Sequence, residues 1–324
     1  MSLLDKIQKP IESEMKSFVP YFKESMKSKV PLLSVITNYI LRGKGKQMRP
    51  MFVFLSAKLC GEITKSTYNA AVMIEMLHTA TLIHDDVVDN SDERRGFFSV
   101  KALWRSKIAV LVGDYMLGKG MLLAVENEEY SLLKIISNAV REMSEGELLQ
   151  IEKARRLDID ESIYFEIIRK KTAVLIASCT EIGAKSVNAS NEQVEKMRLF
   201  GEYVGIAFQI RDDIFDYQKT NVIGKPTGND IQEKKMTLPI IYAINNAPFS
   251  EKRKMLKAIN NYKKDAKAIE NIIKFVVEKG GIDYAQKVML AYHAKAMDIL
   301  ATFADSQAKT SLVELLNYTV SRKK

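Results

Sequence analysis

Two short acidic motifs stand out. Asp85-Asp86-Val-Val-Asp89 and Asp212-Asp213-Ile-Phe-Asp216 each space aspartates at i, i+1 and i+4. On a helix these side chains fall within an arc of roughly 100°, with the first and last as near neighbours. Three carboxylates so placed repel one another, and aspartate is a poor helix former. The first motif follows an apolar run, Met73 to Ile83, and Phe208-Gln-Ile-Arg211 precedes the second, both on core-bound helices. A carboxylate cluster on a core-bound helix needs counter-charge. A hard divalent cation meets that need: Mg²⁺ takes one or two carboxylates, keeps some waters and bridges to phosphate oxygens. The alternative is a pair of solvated acidic helix ends. It becomes less economical when the motif occurs twice on apolar helices.

A phosphorylated substrate also needs cations from the protein. Candidates at loops and helix ends are Lys46 and Arg49, Arg94 and Arg95, Lys170 and Lys171, Lys225, and Lys234 and Lys235. Taken singly, each reads as a surface charge. Their nearness to glycine loops and acidic motifs argues for them jointly. His78 and His84 lie on the apolar run before the first motif, and His84 reads more simply as a satisfied core histidine.

The elements that must carry these residues are helices. None of the seven prolines (10, 20, 31, 50, 226, 239 and 248) falls between Met51 and Lys225, a stretch rich in Leu, Ile, Ala, Met, Glu and Lys. Apolar periodicity predicts helices near 3–17, 20–28, 31–42, 66–89, 106–126, 129–155, 160–169, 172–187 and 191–219. Five more follow near 237–246, 251–260, 264–279, 281–304 and 307–321. Residues 90–98 read as a polar loop, and Gly224 to Asp230 as an ordered loop. No linker or composition shift appears, so residues 1–324 read as one all-α domain.

Apolar residues make up 47% of the 324, enough for a sizeable core and against wholesale disorder. Cys60 and Cys179 show no metal-site spacing and suit a reducing compartment. The N-terminus lacks a secretory pattern, and no window approaches about 18 uninterrupted apolar residues, so the reading is cytoplasmic with no membrane span. The net charge of +9 is scattered and carries no zinc-finger or RNP pattern, so no nucleic-acid partner is expected. It suits a lysine-rich surface, anionic substrates or loose attraction to anionic lipid.

From His78 to Gly96, through Gly113-Asp-Tyr115, Lys171-Thr172, Gln209 to Asp216 and Gly224 to Asp230, the chain resembles the trans-isoprenyl diphosphate synthases. The likeness runs over roughly residues 40–320 and is nearest the bacterial long-chain, octaprenyl-type members. It implies a helical bundle around a deep central cavity, a homodimer, and condensation of isopentenyl diphosphate with an allylic diphosphate such as farnesyl or geranylgeranyl diphosphate. The two aspartate motifs would hold about three Mg²⁺ ions per site, with Asp85, Asp89 and Asp212 as direct ligands. Lys46, Arg49, His78 and Arg95 match the isopentenyl diphosphate site. Arg94, Lys171, Thr172, Gln209, Lys225 and Lys235 match the allylic site, with Thr172 and Gln209 placed to stabilise an allylic cation. Two departures occur: Gly43-Lys-Gly45 replaces the usual glycine pair, and Lys234 stands where glycine commonly precedes the binding lysine. Small residues at Ala80 and Thr81, one turn before Asp85, imply an open tunnel and a product of roughly C30 to C40 for quinone side chains. Helical phase offers Leu117, Leu132 and Ile135 as its floor. The lipid product would draw the protein weakly to membrane surfaces.

Overall fold

The computed structural model describes residues 3–43, 45–94, 96–156, 160–217, 229–233, 235–261 and 266–321. The helices are α1 (Leu3–Gln8), α2 (Glu12–Ser25), α3 (Pro31–Arg42), α4 (Met48–Cys60), α5 (Lys65–Val88), α6 (Val100–Glu126), α7 (Tyr130–Arg156) and α8 (Glu161–Ile168). They continue with α9 (Val174–Ser186), α10 (Asn191–Asp216), α11 (Asn229–Gln232), α12 (Leu238–Asn245), α13 (Phe249–Asn261), α14 (Ala266–Glu278), α15 (Gly281–Ala301) and α16 (Gln307–Ser321). The fold is all-α. The chain divides into two compact units, interleaved in sequence: residues 1–140, 176–198 and 302–315 form the first, and 141–175, 199–301 and 316–324 the second.

The first unit is built on α4 and α5. Residues 50–57 of α4 are all buried, as in a helix apolar on every side. Gly183 of α9 lets that helix meet α4 directly, since a Cβ there would lie 2.4 Å from the Val53 carbonyl oxygen. The predicted break at Pro20 does not occur; α2 runs through it. Pro20 is exposed, so the carbonyl it deprives of a partner faces water, while buried Met15, Phe18 and Met26 continue one stripe. The 90–98 loop is a small hairpin instead. β1 (Glu93–Arg94) pairs antiparallel with β2 (Phe97–Phe98), and Gly96 takes the left-handed φ of 79° that the turn requires.

α6 begins earlier than periodicity predicts, at Val100, but breaks at Arg105 (φ 70°, ψ 159°) before resuming. Only glycine adopts that conformation without strain, which costs a side chain of this kind about 1–3 kcal/mol. α6 is also, among the described residues, the one helix long and apolar enough to cross a membrane, where the sequence reading expected none. Asp114 and Lys119 interrupt its apolar run, so a criterion of unbroken length passes over it. Leu103, Val110, Leu111, Met121, Leu122 and Val125 are exposed along it.

In the second unit α8, α10, α12, α14 and α15 share one apolar core, including Ile168, Ile206, Ile210, Ile241 and Ile272. Between α8 and α9 the residues Arg169–Ala173 form a π-helical turn, where the sequence reading placed a break between helices at 160–169 and 172–187. Two glycines clasp it. A Cβ on Gly146 of α7 would stand 2.8 Å from the Lys170 Cβ, and one on Gly205 of α10 would stand 2.5 Å from the Ala173 Cα.

Candidate active site

In the first unit, α5 ends in the first aspartate trio. The Asp89 amide donates to the Asp85 carbonyl at 2.8 Å, and Asn90 leaves the helix with φ 53°. Asp85 is half-buried, Asp86 buried and Asp89 exposed. Arg94, presented by β1, donates through Nε to Asp86 Oδ1 at 2.7 Å. Burial pushes the Asp86 carboxyl up, and the Arg94 hydrogen bond opposes the shift. Arg94 therefore anchors the trio, a role the sequence reading did not give it, and its remaining guanidinium nitrogens keep their donors.

His78 is 7% exposed and lies two turns before Asp85 on the same helix. The Thr81 hydroxyl donates to its carbonyl at 2.9 Å. Ala80 is fully buried and Thr81 half-buried. Arg49 is half-buried in the first turn of α4, and Lys46 is exposed just before it. His84 is not a core histidine. Its side chain is 30% exposed, and its Nε2 lies 3.2 Å from the Val110 carbonyl. Arg95, Lys225 and Lys234 lie outside the described residues, as does most of the Gly224 to Asp230 segment.

In the second unit, α10 ends in the second trio. Asp213 is buried and both its oxygens are engaged: Tyr164 Oη donates to Oδ2 at 2.6 Å and Gln209 Nε2 to Oδ1 at 2.8 Å. The Gln209 amide oxygen in turn accepts from Thr172 Oγ1 at 2.8 Å. Burial raises the Asp213 carboxyl to about 8, with Asp230 adding to the rise. Asp216 accepts the Asp230 amide at 3.0 Å. Burial, reinforced by Asp216, raises Asp230 to about 6. Asp212 and Asp216 are half-buried.

The π-helical turn brings Lys171 and Thr172 to the same place. Lys171, Thr172, Gln209, Asp213, Asp230 and Lys235 line one pocket. Lys171 is paired with Glu147 and Lys235 with Glu233. Sequence reasoning missed Tyr164, Glu147 and Asp230. Tyr164 sits in an apolar run and reads as core. Asp230 closes a Gly- and Pro-containing segment, and that position was the available signal.

The raised carboxyls predict a pH effect. A carboxyl whose folded pKa exceeds its unfolded value stabilises fully at low pH, and the contribution is lost as pH rises through the folded value. The metal-free protein should therefore lose stability between about pH 4 and pH 8 as Asp230 and Asp213 ionise. Denaturant melts at successive pH values check this, and Asp213→Asn should flatten the upper part of the curve.

Among the described residues no group of three or more His, Cys, Asp or Glu side chains is placed to hold a metal ion by itself. This fits Mg²⁺, which takes one or two protein carboxylates and completes its shell with substrate oxygens and water. It does not fit a caged structural ion. Central Asp86 and Asp213 are each held by protein donors, whereas Asp85 and Asp212 are half-buried and Asp89 is exposed.

Known proteins resemble this chain along nearly its whole length. An all-trans-nonaprenyl-diphosphate synthase (geranyl-diphosphate specific) of Rhodobacter capsulatus is 35% identical over 97% of this chain and 96% of its own. A polyprenyl synthase of Caulobacter crescentus, solved with calcium and isoprenyl diphosphate, superposes with a TM-score of 0.90 at 32% identity, covering 99% of this chain and 98% of the other. A geranylgeranyl pyrophosphate synthase of Bacteroides thetaiotaomicron gives 0.85 at 38% identity, covering 99% and 100%. The family model described as polyprenyl synthetase matches residues 30–276, the span that contains both aspartate trios and the Lys171-Thr172 turn. On these grounds the chain belongs to the polyprenyl synthetase family.

Proposed function

We propose that this chain elongates an allylic diphosphate, farnesyl or geranylgeranyl diphosphate, with isopentenyl diphosphate to give an all-trans polyprenyl diphosphate for quinone side chains. The observation that carries this is the pocket in which Lys171, Thr172, Gln209 and Lys235 surround the anchored Asp213. In the reaction the allylic C–O bond breaks, the alkene carbon of isopentenyl diphosphate bonds to the allylic carbon, and a proton passes to the released diphosphate. Lys171 and Lys235, with Arg94 and Lys225, receive the leaving diphosphate. Its oxygens displace Glu147 and Glu233 from the two lysines. Asp85, Asp89 and Asp212 would hold about three Mg²⁺ ions, which would supply Lewis-acid neutralisation of the leaving charge. The amide oxygen of Gln209 and the Thr172 hydroxyl offer partial negative charge to the allylic cation. Lys46, Arg49, His78 and Arg95 orient isopentenyl diphosphate, which supplies the proximity contribution.

The test is incubation with farnesyl diphosphate and labelled isopentenyl diphosphate, with and without Mg²⁺, followed by chromatography. Mg²⁺-dependent elongation to products of roughly C30 to C40 is expected, because the positions one turn before Asp85 carry small side chains. No incorporation with farnesyl or, in a parallel incubation, geranylgeranyl diphosphate would overturn the proposal, and a C20 product would overturn the chain length. Thr81→Phe and Ala80→Phe should shorten the product ladder; an unchanged ladder in folded variants would remove the tunnel from these positions.

The exposed apolar residues of α6 support a homodimer, since a stripe of this length is costly to leave in water. Leu111→Glu with Leu122→Glu should convert the protein to monomers in sedimentation. A cytoplasmic enzyme with a weak, product-driven affinity for membrane surfaces completes the reading.

A further inference from the structure

The motif Gly113-Asp-Tyr115 has no part in the chemistry just described, yet its geometry meets the first aspartate trio. A Cβ on Gly113 would lie 2.1 Å from His84 Nε2, 2.5 Å from Cδ2 and 2.8 Å from Cε1. The imidazole therefore fills the space that a side chain at 113 would take, in a notch on α6 that only glycine leaves open. Nε2 donates to the Val110 carbonyl at 3.2 Å, and Asp114 Oδ1 stands 3.5 Å away. Tyr115 completes the motif by donating its hydroxyl to the Lys27 carbonyl at 3.2 Å.

The last turn of α5 needs such a hold. Asp85, Asp86 and Asp89 place three negative charges at a helix C-terminus, where the helix dipole is itself negative. They also repel one another. Left to itself that turn would fray, and the metal-facing carboxylates would lose their shared direction. Arg94 relieves the charge on Asp86 alone. His84 immediately precedes Asp85, and fixing its ring against α6 fixes the rotation of the turn from which Asp85 and Asp89 project.

We propose that His84, seated against Gly113 and hydrogen-bonded to the Val110 carbonyl, is a positioning residue that keeps the last turn of α5 helical and its carboxylates aimed for Mg²⁺ and diphosphate. This rests on the prenyl-transfer reading above. The device uses packing and one hydrogen bond to the backbone, so both the notch and the ring are required. Gly113→Ala evicts the ring, whereas His84→Ala leaves the notch empty. In the double variant the new methyl group occupies the vacated space.

The test combines two measurements on His84→Ala, Gly113→Ala and the double variant. The first is backbone amide exchange over residues 85–89 in metal-free protein, followed by mass spectrometry. The second is the Mg²⁺ concentration for half-maximal turnover, with kcat and the KM for isopentenyl diphosphate determined separately. Each single variant should exchange about tenfold faster over this turn and need about tenfold more Mg²⁺, with that KM unchanged. The double variant should match His84→Ala, because the second substitution has no ring left to displace. Wild-type exchange and Mg²⁺ requirement in His84→Ala would overturn the proposal, as would additive losses in the double variant. If Gly113→Ala does not fold, His84→Ala decides alone. The parent and Asp85→Ala run in parallel separate the failures: no prenyl transfer by the parent would sink the prenyl-transfer reading, full turnover in Asp85→Ala would sink the metal assignment, and loss there beside an unaffected His84→Ala would sink only the positioning role.

Discussion

Alanine at Asp85 or at Asp212 should lower prenyl transfer at saturating substrate by about 10³-fold or more, some 4 kcal/mol of lost transition-state stabilisation. Neither loss can be made good from within its own trio. Asp86 is held by Arg94 at 2.7 Å, and Asp213 receives Tyr164 and Gln209 at 2.6 and 2.8 Å. A carboxylate already committed to protein donors cannot swing out to a metal without stranding them in a buried setting. Asp85 and Asp212 are only half-buried, so their removal should leave the melting temperature within a few degrees of the parent. The central positions should behave in the opposite way. Asp213→Ala strands the buried Tyr164 hydroxyl and should destabilise the fold as well as the activity. Single-turnover measurement with labelled isopentenyl diphosphate, alongside thermal melts, tests the division. Near-parental turnover in both Asp85→Ala and Asp212→Ala would refute the metal assignment.

The second large effect is expected at Gly205, which carries no functional group of its own. Its added methyl would meet the Ala173 Cα at 2.5 Å and the Ala173 carbonyl oxygen at 3.2 Å. These are backbone atoms and cannot turn aside, so either α10 or the π-helical turn must move. Overpacking of this kind costs about 1–3 kcal/mol. The displaced turn carries Lys171 and Thr172, and Thr172 is bonded to Gln209 at 2.8 Å. A shift of about an ångström between them should lower kcat by about 10²-fold. Gly205→Ala should therefore lose activity out of proportion to its loss of stability. A variant that melts lower yet keeps its parental kcat would show that the turn's exact seat does not matter to the chemistry.

Much of this was legible in the sequence because it rests on local pattern. The proline-free span from Met51 to Lys225 marked helix, and the doubled aspartate trios marked the candidate site. α5 and α10 end within a few residues of the expected places. What was not legible depends on burial and on distant neighbours. The six aspartates look alike in sequence, and only packing separates Asp86 and Asp213 from the rest. Nothing local shows that the hairpin turns Arg94 back onto Asp86. Tyr164 resembles its apolar neighbours until Asp213, 49 residues away, arrives beside it. Pro20 promised a break that solvent exposure made harmless. The two-unit division left no trace because its boundaries fall within helices such as α7 and α10 rather than in linkers.

The π-helical turn also constrains how this chain can change in length. A turn at Arg169–Ala173 stores one residue beyond the ordinary helical count. Losing that residue would restore a continuous ladder of backbone hydrogen bonds and give a better helix. It would also rotate everything on one side by roughly 100° relative to the other. Tyr164 stands before the turn and Thr172 within it, so a regularised helix could not serve Asp213 and Gln209 together. Genetic drift toward the smoother helix is thus closed off by the partners across the pocket, and the irregularity persists as a frozen count of residues.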